Sequence, residues 1–83
     1  MAVGQLDRVG YALLQADRVE DAIEIYKLNV EFFPEQSRPY DSLGKAYLIK
    51  GDREKAIGYY RKSLELNPDN ENAVEQLEKL AAG

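Results

Sequence analysis

Cysteine and histidine are both missing from this 83-residue sequence. Without thiols there is no disulfide and no thiolate metal site, and cysteine usage says nothing about redox compartment. Without imidazole, the commonest general base, the commonest metal ligand and every triad built on histidine are excluded. Carboxylate or lysine chemistry would still need a walled pocket, which so short a chain hardly builds. No catalytic residue, cofactor or metal is therefore expected. Basic charge is scarce too: 15 acidic residues face 11 basic ones, for a net charge of −4, with the signs interspersed along the chain. Nucleic acid is not an expected partner, because phosphate binding relies on a clustered basic footprint. No apolar run approaches the roughly 20 residues that cross a bilayer, so no membrane partner is expected either. The stretch Met1–Gly10 lacks the charged start and apolar centre of a signal peptide. That leaves the cytoplasm as a default, with the localisation itself unknown.

What is present is a repeat. Shifting the sequence by 34 residues lays 6–36 on 40–70, and ten of these 31 pairs are identical, among them Gly10/Gly44, Ala22/Ala56, Tyr26/Tyr60 and Pro34/Pro68. A fixed period of this length marks a solenoid of stacked supersecondary units. Apolar residues at three- and four-residue spacing predict five helices, at about 3–16, 19–33, 37–50, 53–66 and 71–81. The breaks have physical causes. Gly51 suits the left-handed conformation that ends a helix, Asp17 holds the same place in the first unit, and Asp52 can cap the next helix. Pro34 and Pro68 lack the N–H that a continuing helix needs, and Ser37 and Asn70 are candidate N-caps. The expected organisation is a single domain over 1–83, with unit one at 3–36, unit two at 37–70 and a closing helix at 71–82.

Tyr40, Leu43-Gly44, Tyr47, Ala56, Tyr60 and Pro68 stand at the spacing of one signature, and with them the second unit resembles a tetratricopeptide repeat. The first unit follows it more loosely with Leu6, Val9-Gly10, Leu13, Ala22, Tyr26 and Pro34. Asn29 and Ser63 depart from it, standing where the family usually has Ala, and the departure is expected to blur packing near the helix ends. The resemblance implies an all-α, right-handed α-solenoid of two helix-turn-helix repeats plus a C-terminal capping helix. A second resemblance lies in Leu28-Asn29-Val30, in 40–44 and in 62–70, which are similar to the repeat tails of bacterial serine hydrolases of the β-lactamase-like class. It implies a bacterial accessory tail whose Ser/Lys chemistry lies elsewhere.

Arrays of this family line a concave groove with the first helix of each unit, where a peptide or partner helix lies. Carried onto this chain, the groove holds Arg8, Tyr11, Arg38, Ser42, Lys45 and Lys79, with Asp7, Leu14, Asp41, Ile49, Asn72, Glu75 and Gln76 beside them. A solvated helix face is the plainer reading of the same strip. One subclass clamps the acidic tails of heat-shock chaperones with Lys, Asn and Arg. The matching places here carry Asp7, Tyr11, Ser42, Asn72 and Gln76, so that function does not carry over, since a carboxylate repels a carboxylate ligand. Tyr26, Tyr59 and Tyr60 could form a stacking platform, yet Tyr26 and Tyr60 fall at the signature core position. Glu20, Glu24 and Glu31 share a helical face with Lys27, which fits a charged outer surface better than a metal site.

The expected function is a protein–protein interaction scaffold that binds a peptide or partner surface. The alternatives are a structural or oligomerising tail of a larger bacterial enzyme and an engineered minimal repeat without a ligand. Gly58 inside a helix, against Glu24 in the other unit, argues against consensus design. Val3 and Leu6 have no preceding unit in this sequence to cover them. Either a weak homodimer through them or a plain monomer follows.

Overall fold

The computed structural model describes residues 3–82; Met1, Ala2 and Gly83, the ends of the expected 1–83 domain, lie outside them. Five helices follow one another: α1 (Val3–Gln15), α2 (Val19–Phe32), α3 (Ser37–Lys50), α4 (Arg53–Leu66) and α5 (Glu71–Ala82). Among the described residues there is no strand. The fold is an all-α helical-repeat solenoid. Helix α1 packs on α2 and α3 on α4, and these hairpins join through α2 against α3, with α5 closing on α4.

The two hairpin turns are built alike. Asp17 at φ 62° and Gly51 at φ 97° both take the left-handed conformation. Behind them the amide of Arg18 donates to the Leu13 carbonyl at 2.8 Å, and that of Asp52 to Tyr47 at 2.9 Å. Both satisfy carbonyls that the helix ends would otherwise strand. Asp52 then accepts from the Lys55 amide at 3.2 Å, and Asn70 from the Ala73 amide at 3.2 Å, capping α4 and α5. Ser37 is not a cap. Gln36 holds that place with extended backbone and no side-chain capping bond.

The hydroxyl of Ser63 donates instead to the Ser37 carbonyl at 3.2 Å, and the Asn29 carboxamide donates to the Val3 carbonyl at 3.1 Å. Both side chains are fully buried. The two departures from the family's alanine therefore do not blur the packing. Each stitches the second helix of its hairpin to the first residue of the first.

Small residues set the helix crossings. Ala22 and Ala56 are fully buried, and Leu43, Tyr26 and Tyr60 fill the space around them. A Cβ built at Gly44 would stand 2.9 Å from the Tyr60 ring, and one at Gly10 would stand 2.3 Å from the Tyr26 ring. Exposed Gly58 would meet nothing within 4 Å. The same substitution should therefore have opposite signs at two sites. Gly58→Ala should stabilise by about 1 kcal/mol through helix propensity. Gly44→Ala should lose that gain and more, because a buried ring cannot swing aside and overpacking costs about 1–3 kcal/mol. Urea midpoints of the two variants check this; a common direction of change would contradict it.

Candidate functional site

Helices α1, α3 and α5 present neighbouring faces to solvent, and a ladder of polar contacts ties them together. On α1, the carboxylate of Asp7 accepts from the Ser42 hydroxyl at 2.6 Å and pairs with the Arg38 guanidinium at 3.2 Å, both on α3. On α3, Asp41 accepts from the Asn72 carboxamide of α5 at 3.1 Å. Asp7–Arg38 and Asp41–Asn72 are separated by the same 31 residues. The contact is thus part of the repeat: an acidic residue in the first helix of one unit clasps a donor near the start of the next unit's first helix. Lys45 lies over the Tyr11 ring, 5.5 Å from its centroid, a cation–π contact between α1 and α3.

Beside the ladder, Lys45, Leu48, Ile49, Tyr60, Asn72 and Gln76 line a cleft of about 300 Å³. Its floor is apolar, with the buried Tyr60 beneath, and its rim carries two carboxamides and one ammonium. Ile49 and Tyr11 stand 56% and 51% exposed, large apolar groups left open on an otherwise polar strip. The charges of the strip cancel: Asp7 against Arg38, Asp41 against Lys45, and Glu75 against Lys79 at 3.6 Å. Burial pushes the Asp41 carboxyl above its ordinary value, while hydrogen bonds from Asn72 and Asn70 pull it back.

The residues expected to line the groove fall into two groups. Tyr11, Arg38, Ser42 and Lys45 are brought together, and Lys79 lies on the α5 edge with its charge engaged by Glu75. Arg8 is apart from them, bordering an open depression with Gln5, Val9 and Ala12. Sequence reasoning placed Asp7 and Asp41 on the strip without seeing that they organise it, and it missed Leu48 and Tyr60 in the cleft. The signal that could have found the clasp is the 31-residue offset from each acid to a donor. Of the chaperone-clamp places, Asp7, Tyr11, Ser42 and Asn72 are all held by contacts within the chain.

Other candidates resolve into surface and core. Glu20 pairs with Lys50 at 3.0 Å and Glu24 with Lys27 at 3.9 Å, and no acidic cluster among the described residues is placed to hold a metal. Tyr26 and Tyr60 are buried, so no three-tyrosine platform exists; half-buried Tyr59 stacks on Tyr47 instead. Burial raises the Tyr26 and Tyr60 hydroxyls to about 12 from an ordinary 10. The fold favours their neutral form. Their stabilising contribution is whole below pH 10 and is lost as pH climbs through about 12. Alkaline titration followed by tyrosinate absorbance and circular dichroism should show Tyr26 and Tyr60 ionising together with loss of helix. Complete tyrosine ionisation in a fully helical chain would contradict this.

The tetratricopeptide repeat profile matches residues 37–70. The second hairpin, α3 and α4, is a tetratricopeptide repeat. It is similar to "Heat shock protein STI1" of Saccharomyces cerevisiae, 38% identical over 65 residues that make up 78% of this chain and 10% of that protein. "BBSome complex member BBS4" of Bos taurus is 41% identical over 71 residues, 86% of this chain and 12% of the relative. "Protein arginine N-methyltransferase 9" of Homo sapiens is 33% identical over 64 residues, 77% of this chain and 8% of the relative. The chain thus spans about a tenth of the length of such relatives. Their names cover an enzyme, a heat shock protein and a member of a complex, and what they share with this chain is the repeat. Such repeats are in general non-catalytic modules of protein–protein interaction. No described helix is long and apolar enough to cross a membrane.

Proposed function

We propose that this chain is a protein-interaction scaffold whose concave face, formed by α1, α3 and α5, holds a segment of a partner polypeptide. The observation that carries this reading is the pre-organised strip itself. Asp7, Arg38, Ser42, Asp41 and Asn72 are already fixed by one another, so little side-chain entropy remains to be lost on binding. Open apolar groups, Tyr11 and Ile49, stand beside a cleft whose Gln76 rim suits backbone amides of a bound segment. With its charges cancelled, the strip favours an apolar or aromatic anchor over a strongly acidic tail, and Asp7 opposes the latter directly. The strip residues are Tyr11, Arg38, Ser42 and Lys45, with Lys79 on its α5 edge and Arg8 apart from it. The experiment is affinity capture with the purified chain, followed by titration of the purified partner against wild type and groove variants.

A second reading, a structural tail that associates with itself, is favoured by the uncovered N-terminal side of α1 and α2. Val9, Leu28 and Phe32 stand 48%, 41% and 57% exposed, and Val3 and Leu6 are half-buried. Repeat units do not bury their apolar faces alone. On this reading, sedimentation equilibrium shows a mass that rises with concentration for wild type and stays constant for Val3→Glu/Leu6→Lys. A constant monomer mass for wild type sinks it.

A further inference from the structure

Three glycines lie inside helices beyond the first turn, and two of them are covered by an aromatic ring. The Tyr26 ring lies on Gly10 and the Tyr60 ring on Gly44, each within 3 Å of where a Cβ would stand. The third, Gly58, has nothing within 4 Å. No turn requires it and no neighbour presses on it, yet a helix interior disfavours glycine. Its surroundings are specific. Lys55 lies a turn before it and Lys62 a turn after, and with Tyr59 and the Tyr40 ring of α3 they line a shallow, chiefly apolar depression of about 420 Å³. The floor is a stacked pair: Tyr59 lies on Tyr47 with ring centroids 5.5 Å apart and planes 7° from parallel. The Lys55 ammonium rests 5.4 Å from the Tyr47 ring centroid, and neither Lys55 nor Lys62 forms an ion pair among the described residues. In a chain of net charge −4, two unpaired cations around a bare backbone patch are a local reversal of sign.

We propose that this outer face of α4 is a second docking site, taking an acidic amphipathic helix of a partner protein that lays an aromatic side chain on Gly58 between Lys55 and Lys62. The molecule's own crossings set the pattern, since Gly10 and Gly44 each receive a ring from a facing helix. A residue without a side chain lets two helix axes approach closely. Lys55 and Lys62 are seven residues apart, two helical turns or about 10.5 Å, which matches carboxylates seven residues apart on the partner. In the first unit the equivalent places hold Asp21, Glu24, Ile25 and Leu28, so the site belongs to the second unit alone. None of its residues lies on the α1–α3–α5 strip.

The probe is a synthetic alanine-rich helix of about 20 residues, long enough to hold helix in water. It carries two Glu seven positions apart and a Phe between them, and control peptides replace Glu by Lys or Phe by Ala. Amide chemical shifts should report saturable binding of the Glu/Phe peptide centred on Gly58 and Tyr59, weakened by salt and by either control. Lys55→Glu/Lys62→Glu should weaken it about tenfold, within the combined range of two exposed ion pairs. Gly58→Leu should abolish it while keeping or raising the denaturation midpoint, because its Cβ enters open space. Arg38→Glu/Lys45→Glu, on the other face, should leave it unchanged. No saturable binding, equal binding of the Lys peptide, or wild-type affinity in Gly58→Leu would each overturn the proposal.

Discussion

Tyr60→Ala is expected to cost about 3–5 kcal/mol, the range for removing a buried aromatic side chain. The ring is 1% exposed and lies on Gly44 at the crossing of α3 and α4. It also forms the floor of the α3–α5 cleft, so its loss reaches the interaction face. Typical stability is about 0.05–0.15 kcal/mol per residue, or roughly 4–12 kcal/mol for a chain of this length. The substitution should therefore remove a large part of the total and shift the urea midpoint steeply downward. Tyr60→Phe keeps the ring and should cost little, which separates loss of packing from loss of the hydroxyl. A midpoint for Tyr60→Ala within error of wild type would mean that the hairpin is not held at this crossing.

The repeat was legible in the sequence because its determinants are local. Gly51 and Asp17 end helices by backbone conformation, Pro34 and Pro68 keep them from continuing, and the Gly/Ala/Tyr spacing recurs at a fixed period, so element type and order follow from single segments. Ser37 shows the limit of local reading. A serine at a helix start suggests a cap, but Gln36 holds that place, and Ser37 offers its carbonyl to Ser63 from 26 residues away. Asn29 and Ser63 looked like imperfections because the burial that makes their hydrogen bonds valuable depends on the hairpin closing first.

The candidate site was legible as positions and not as contacts. Counting along the first helices puts Asp7, Tyr11, Arg38 and Lys45 on one strip, but which charge meets which depends on the offset between neighbouring helices. That offset turns Asp7 from a solitary repulsive charge into the acceptor of both Ser42 and Arg38. It also places the Lys45 ammonium over the Tyr11 ring, at the rim of the cleft. Arg8 sits one residue from Asp7 in sequence and so about 100° around the helix, enough to leave the network.

The largest effect on binding is expected from Arg38→Glu combined with Lys45→Glu. The first change replaces the ion pair of Asp7 with like-charge repulsion; the second removes the cation from Tyr11 and from the cleft rim. Both side chains are exposed, and exposed pairs contribute about 0–1 kcal/mol each, so the helices should stay folded. A ligand lying on the strip would instead lose its aligned contacts and meet four carboxylates, at 7, 38, 41 and 45. Its affinity should fall by about 100-fold, or some 2.7 kcal/mol, the scale of a binding hot spot. The decisive measurement is isothermal titration of the captured partner into wild type and this double variant, with thermal unfolding of both run alongside. The account predicts the hundredfold loss with a nearly unchanged melting temperature. Equal affinity for the two proteins would contradict it and remove the partner from the α1–α3–α5 face.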